Sequence, residues 1–288
     1  MKRKNLFLRY CVISLILFIY SCTKEPDNVA ISLDGVKISF DKQGDGELTL
    51  VFIHGWGNNR IIWDEQVSHF SEKYKVVNVD LPGFGRSGNN RQNWTMAAFG
   101  NDVSAVINKL DLEQVVLVGF SMGGPVAIET ANIVPERVAG VVLIDNMQNV
   151  EENYPPPVMS FIDSLFMDLV TNPTNEKLIG GGFYKKNPEN SFERVFAILK
   201  DAPTIGWRES LHDYLRWRNE DMALSLQRCQ VPIIAINSDM QPTNVDAFKK
   251  LVPSFQAKIV PDVGHLIMWD AEEEFNRLLE ESIKEFLK

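Results

Sequence analysis

The segment Val115-Val116-Leu117-Val118-Gly119-Phe120-Ser121-Met122-Gly123-Gly124 constrains this chain more than any other. Its opening run of valine and leucine reads as a buried strand. The chain then turns through Gly119-Phe120-Ser121-Met122-Gly123 into an apolar stretch with helical patterning, Pro125 to Val134. Strand, sharp turn and helix are the setting that a Gly-x-Ser-x-Gly nucleophile elbow requires. A serine at the tip of so tight a turn is held in a strained backbone conformation, which lifts its hydroxyl above the sheet edge. The flanking glycines remove side chains that would clash where strand and helix approach. The free N–H groups at the start of the helix, Met122 among them, point to where an oxyanion would form.

The rest of the chain alternates strands and helices around this segment. Ala30 to Leu33, the Asp34-Gly35 turn and Val36 to Phe40 read as a β-hairpin. Leu48 to Ile53 is a buried strand ending at His54-Gly55-Trp56-Gly57, and Asn58 or Asn59 can cap a helix from Ile61 to Phe70. Lys75 to Val79 is the next strand, and Asp80 to Ser87 is the loop that leaves it. Thr95 caps a helix to Leu110, and Val138 to Ile144 is a strand beyond the elbow helix. Such alternation implies a parallel sheet covered on both faces.

From Gln148 to Cys229 the alternation stops. Amphipathic helical stretches, Val158 to Val170 and Ser191 to Lys200, are broken by Pro155-Pro156-Pro157 and Gly180-Gly181-Gly182. Strands resume at Ile233 to Ile236 and Ala257 to Val260, followed by an amphipathic helix from Glu272 to Leu287. A helical insertion between two sheet strands reads as a cap over the sheet edge where ligands bind in open α/β folds. The expected division is a core of residues 29–147 and 230–288 with a helical cap of 148–229.

The N-terminus has a different character. Lys2, Arg3, Lys4 and Arg9 precede an apolar run, Tyr10 to Tyr20, that ends at Ser21-Cys22. The run is shorter than the about 20 residues a bilayer-spanning helix needs, and it fits a secretory signal, residues 1–21. A small residue followed by cysteine resembles a bacterial lipoprotein signal, which implies lipid on Cys22 and a polar tether over residues 22–28. The expected location is the bacterial cell envelope, with the membrane reached through the lipid anchor only. Removing residues 1–21 takes away four basic and no acidic residues, leaving 25 Lys and Arg against 38 Asp and Glu, a net charge of −13. It also removes Cys11, so Cys229 has no disulfide partner once Cys22 is lipidated. The net charge of −9 for the full sequence gives nucleic acid no electrostatic footprint.

Taken in order, His54-Gly55-Trp56-Gly57, the Asp80 to Ser87 loop, the elbow and Asp262-Val263-Gly264-His265 resemble the α/β-hydrolase superfamily, in its capped esterase and haloperoxidase-like branch. The resemblance covers residues 30–288. It implies an α/β-hydrolase fold, a mostly parallel eight-stranded sheet with helices on both faces and a helical cap. Ser121 is the nucleophile, since a serine hydroxyl needs an adjacent base to react. His265 stands in the Val-Gly-His loop where the family keeps that base. The third member orients the imidazole. Asp239, after the strand of Ile233 to Ile236, holds the family's usual position for it, and Asp145, after the preceding strand, is the rival. The resemblance assigns the oxyanion hole to the backbone N–H groups of Trp56 and Met122. His54 is expected to pack behind the oxyanion loop, His69 to be solvated, His212 to be structural, and Asp80 with Arg86 to hold their loop. Trp207, Trp217, Phe161, Phe166 and Phe183 make the cap aromatic.

The expected reaction is cleavage of a carboxylic ester, or related acyl bond, of a small-molecule substrate through an acyl-enzyme. A serine in the elbow argues against the dehalogenase and epoxide-hydrolase relatives, which carry aspartate there. Carbon–carbon hydrolases, the alternative reading, share the serine and usually place tryptophan directly after the histidine, where this chain has Leu266. The same residues would also serve an acyltransferase, or persist in a non-catalytic, hydrolase-like binding protein. The histidines and cysteines lack metal-ligand spacing and no phosphate-cradling glycine loop is present, so neither a metal nor another cofactor is expected.

Overall fold

The computed structural model of the chain describes residues 28–171, 188–199 and 206–288. The expected signal segment with Cys11, Cys22 and the expected tether up to Asp27, the break at Gly180 to Gly182, Phe183 and Lys200 lie outside the described residues.

Eight strands form one sheet: β1 (Val29–Ile31), β2 (Lys37–Gln43), β3 (Thr49–Ile53), β4 (Lys75–Val79), β5 (Val115–Phe120), β6 (Val138–Ile144), β7 (Ile233–Ser238) and β8 (Gln256–Val260). Their order is β1-β2-β4-β3-β5-β6-β7-β8. β2 runs antiparallel to both β1 and β4, and every other pairing is parallel. The elbow strand β5 sits centrally, between β3 and β6.

Every residue of β3 and β5 is buried, as continuous apolar runs in a parallel sheet require. Successive side chains alternate between two cores. Val51, Ile53, Val115 and Leu117 join Phe99 and Val103 of the helix Met96–Lys109 and Val126 and Ile128 of the helix Gly123–Ile133. Leu50, Phe52, Val116 and Val118 join Trp63, Phe70 and, from the helix Glu272–Phe286, Phe275 and Leu279. Each such side chain, fully buried, contributes about 1.5–3 kcal/mol before entropy is counted. The terminal helix follows its charge pattern, with its apolar stripe on the sheet and Glu274 and Arg277 outside.

Local capping matches the sequence closely. The Thr95 side chain accepts a hydrogen bond from the Ala98 N–H at 3.2 Å at the start of the helix Met96–Lys109. The helix expected over residues 61–70 begins instead as a 3-10 turn, Arg60–Trp63, and becomes α-helical only at Asp64–Phe70. Two acceptors tighten that first turn: Asn59 Oδ1 takes the Ile61 N–H at 2.9 Å and Asp80 Oδ1 takes the Arg60 N–H at 2.8 Å. The turn drops Trp63 onto Phe52, with ring centroids 5.0 Å apart.

Between β6 and β7 the described residues form the helices Pro156–Thr171, Pro188–Leu199, Trp207–Glu220 and Met222–Arg228. They lean on the loop after β3: the rings of Phe166 and Trp207 meet Trp56 edge-on at 5.2 and 5.1 Å. Trp56 Nε1 donates to the Trp207 carbonyl at 2.8 Å, and Trp207 Nε1 donates to the Gly83 carbonyl at 3.1 Å. Farther along, Glu129 Oε1 accepts from Trp217 Nε1 at 2.7 Å and from Ser225 Oγ at 2.6 Å. Trp207 and Trp217 are 1% and 2% exposed, and they fasten this segment to the loops after β3 and β4 and to the helix Gly123–Ile133, respectively.

Candidate active site

The parallel strands β3, β5, β6 and β7 end along one edge of the sheet, and the loops that leave them there converge. Ser121 stands on the turn from β5 into the helix Gly123–Ile133 with φ at 50°, in the left-handed region that a side chain rarely adopts. The turn is that tight because the backbones touch. A Cβ on Gly119 would lie 2.2 Å from the Gly123 carbonyl, and one on Gly123 would lie 2.5 Å from that of Ile53. Hydrogen bonds fix the serine's main chain. Its N–H donates to the Ile144 carbonyl at 3.0 Å, and its carbonyl accepts the Gly124 N–H at 2.9 Å and Asn146 Nδ2 at 2.6 Å.

His265 follows β8 on a loop whose Gly264 N–H donates to Asp270 Oδ2 at 2.7 Å. Its ring lies against Phe120, the residue before Ser121, at 4.7 Å between centroids. Its Nδ1 meets Asp145 Oδ2 at 2.6 Å. Asp145 ends β6, has φ at 46° and is 4% exposed. Its Oδ1 accepts the Ser238 N–H at 2.8 Å and Gln148 Nε2 at 3.3 Å. Burial raises the pKa of this carboxyl, but the hydrogen bond and charge of His265 and the Ser238 donors outweigh it, so the net shift is downward. Asp145 is therefore held ionised beside the imidazole. Nδ1 carries the hydrogen toward it, and Nε2 remains to take a proton.

The sequence offers two aspartates for this place, Asp239 and its rival Asp145. The sequence favours Asp239 as the partner of the imidazole, and the carboxylate hydrogen-bonded to Nδ1 is that of Asp145. β7 continues through Ser238, so Asp239 lies beyond the strand's end at an exposed position. Asp145 turns sharply at the end of the neighbouring strand, its N–H bonded to the Ile236 carbonyl, and its carboxylate reaches the buried side of the His265 loop.

Trp56 and Met122 lie where their strand-end loops approach the elbow. A Cβ on Gly55 would be 3.0 Å from Cβ of Ser121, which measures how closely the loop after β3 passes the serine. Neither the Trp56 nor the Met122 N–H has a main-chain acceptor among the described residues. Behind this loop His54 is fully buried. Its Nδ1 donates to the Gly55 carbonyl at 2.7 Å and its Nε2 accepts the Leu81 N–H at 3.0 Å. Burial lowers its pKa, against the opposing pull of Asp80, and the ring is neutral. Asp80 holds its own loop, taking the Arg86 N–H at 2.8 Å and the Arg60 guanidinium at 3.3 Å. His69 is exposed, and His212 bonds Asp163 of the helix Pro156–Thr171 through Nε2 at 2.8 Å.

Asn146 and Asp270 are the residues at this site that the sequence does not announce. Neither falls in a motif. Asn146 acts through the Ser121 carbonyl, far from it in sequence, and Asp270 through the Gly264 N–H across the intervening turn.

The family model described as alpha/beta hydrolase fold matches residues 49–272. The dihydrolipoyllysine-residue acetyltransferase component of the acetoin cleaving system of Cupriavidus necator is 34% identical over 189 residues, 66% of this chain and 45% of that protein. AB hydrolase superfamily protein YisY of Bacillus subtilis is 25% identical over 242 residues, 80% of this chain and 89% of that protein. Among solved structures, an esterase from Exiguobacterium antarcticum matches with a TM-score of 0.78 at 23% identity, covering 89% of this chain and 99% of that one. The chain spans less than half the length of the Cupriavidus protein, and the Exiguobacterium match is a likeness of fold. With the family model covering most of the sequence and the strand order, elbow and histidine loop all present, the chain belongs to the α/β-hydrolase family.

Proposed function

We propose that the protein hydrolyses carboxylic esters of small acyl substrates through an acyl-enzyme on Ser121. The observation that carries this reading is a serine held at φ 50° on the elbow, with a histidine that packs on the preceding Phe120 ring and is bonded through Nδ1 to a buried carboxylate. In the proposed reaction His265 Nε2 takes the Ser121 proton as Oγ attacks the acyl carbon. The resulting oxyanion is received by the N–H groups of Trp56 and Met122. His265 then returns the proton to the leaving alcohol, and the C–O bond of the ester breaks. Water, deprotonated by the same imidazole, attacks the acyl-enzyme; the bond from the acyl carbon to Oγ breaks, His265 returns the proton to Ser121 Oγ, and the acid leaves. Asp145 stays ionised throughout and holds the ring in one tautomer. In this reading the helical segment of residues 148–229 is a cap, with Phe166 and Trp207 on Trp56 shaping the acyl side of the site.

The test is one equivalent of diethyl 4-nitrophenyl phosphate, with the labelled residue located by mass, and turnover on 4-nitrophenyl esters of increasing chain length. A label on Ser121 and a burst of nitrophenol support the proposal. An unlabelled, inactive folded protein overturns it. The name of the Cupriavidus relative, an acetyltransferase, favours a second reading in which an alcohol or thiol replaces water at deacylation. Product analysis with added acceptors separates the two.

We also propose that the chain is exported and held at a bacterial envelope membrane by lipid on Cys22. The basic start, the short apolar run and Ser21-Cys22 support this. No helix among the described residues is long and apolar enough to cross a membrane. Because one acyl chain holds a protein only marginally, attachment depends on a multiply acylated cysteine. Cys22→Ser should release the protein to the soluble fraction, and a variant that stays in the membrane overturns the anchor.

A further inference from the structure

The two bonds that hold the Ser121 main chain to the β6 segment come from the residues on either side of Asp145. Ile144 supplies the carbonyl that takes the serine's N–H, and Asn146 supplies the side-chain amide that donates to the serine's carbonyl. Asn146 is in turn bound toward β7: its N–H donates to Asn237 Oδ1 at 3.3 Å, and Asn237 Nδ2 donates to Thr243 Oγ1 at 2.9 Å.

Two features of Asn146 resist a purely structural account. It is 4% exposed, and its Oδ1 has no hydrogen-bond partner among the described residues. A half-satisfied buried amide costs stability that an apolar side chain of similar size would not. Gly124 occupies the first turn of the helix after the elbow, where alanine is intrinsically better than glycine by about 1 kcal/mol. A Cβ there would lie 1.7 Å from Asn146 Nδ2. The chain therefore sacrifices helix propensity at one position and side-chain satisfaction at another for a single 2.6 Å bond to the serine's carbonyl.

We infer that Asn146 is a positioning residue, whose amide locks the Ser121 turn to the segment carrying Asp145 so that nucleophile and acid keep one spacing about His265. The inference rests on the hydrolase reading above and deepens it. Gly124 is the second half of the device, since only glycine leaves the amide its path.

The experiment compares wild type, Asn146→Ala, Gly124→Ala and the double variant in the rate of phosphorylation by diethyl 4-nitrophenyl phosphate, and in kcat and KM on 4-nitrophenyl acetate. Displacing the serine by a fraction of an ångström should slow labelling and kcat about 10- to 100-fold in each single variant, with KM near the wild-type value. The shape of the pH–rate profile should stay that of wild type, because the bond from Asp145 to the imidazole is untouched. Gly124→Ala should slow the protein no further once Asn146 is already alanine, because the amide it displaces is gone. An Asn146→Ala variant labelled at the wild-type rate, a loss confined to KM, or additive losses in the double variant overturns the inference. Should Asn146→Ala fail to fold, Asn146→Asp keeps the shape and replaces the donor with an acceptor. Reaction of that variant at the wild-type rate overturns the inference equally. A wild type left unlabelled at Ser121 overturns the hydrolase reading and the positioning role with it, whereas a labelled wild type isolates the fate of Asn146.

Discussion

Asp145 and His265 stand 120 positions apart and meet at 2.6 Å, through the oxygen of a buried carboxylate and Nδ1 of the imidazole. The second oxygen of Asp145 is held by the Ser238 N–H, so the carboxylate cannot swing away from the ring without leaving a buried donor unpaired. The orientation of Asp145 is thus set from β7 although the residue directly follows β6.

Exchange of the acid for its amide tests this directly. Asp145→Asn should lower kcat on the order of 10⁴-fold, since an amide in that place favours the wrong imidazole tautomer. Asp239→Asn should cost far less. Steady-state kinetics on one activated ester decides, and a larger loss at Asp239 would return the acid's role to it.

The strain at Ser121 separates stability from activity. Ser121→Ala and Ser121→Gly should both lose turnover on the order of 10⁴- to 10⁶-fold. Glycine, however, accepts a φ of 50° without penalty, so Ser121→Gly should be the more stable of the two by about 1 kcal/mol. Thermal unfolding of the two inactive variants side by side measures the difference.

His54 makes the loop after β3 sensitive to acid. Its Nε2 must be unprotonated to accept the Leu81 N–H, and burial holds its pKa below the ordinary value of 6.5. The unfolded chain therefore binds a proton that the folded chain refuses, and stability falls as pH drops below about 6.5. Asp145, with its pKa lowered, contributes stability that is present above 3.8 and lost as pH falls through the folded value. Denaturant midpoints between pH 8 and 5 should show the first loss, and His54→Gln should flatten it.

Trp217 fastens the helical segment through Glu129 of the helix Gly123–Ile133 rather than through the loop after β3, so its removal should be felt in stability alone. Trp217→Phe leaves the buried Glu129 carboxylate one donor short and should cost about 1–3 kcal/mol. The ratio of rates on short and long acyl esters should be unchanged. A shifted chain-length profile would mean that Trp217 reaches the substrate.

Much of the fold was legible because it is written locally. Alternation of apolar runs with helical periods, Thr95 as a cap, and the strands Lys75–Val79 and Val138–Ile144 all depend on neighbours within a few residues. The elbow is the extreme case, since a ten-residue stretch contains the strand, the turn and the start of the helix that strain its serine. The 3-10 start at Arg60–Trp63 is not legible there because one of its two acceptors, Asp80, comes from another loop.

The sequence by itself therefore determined the sheet, the elbow and the candidate nucleophile and base, all carried by residue order along short segments. Only the tertiary structure brings Asp145 to within 2.6 Å of the imidazole, because β6 and β7 are parallel neighbours whose ends offer Asp145 and Asp239 at the same sheet edge. Their sequences differ little in kind. What separates them is the left-handed turn at Asp145 and the Ser238 N–H waiting across the strand gap. The same holds for Asn146 and Gly124, whose contact exists only once β6 lies beside β5, since no local rule couples an amide in one loop to a missing methyl in another.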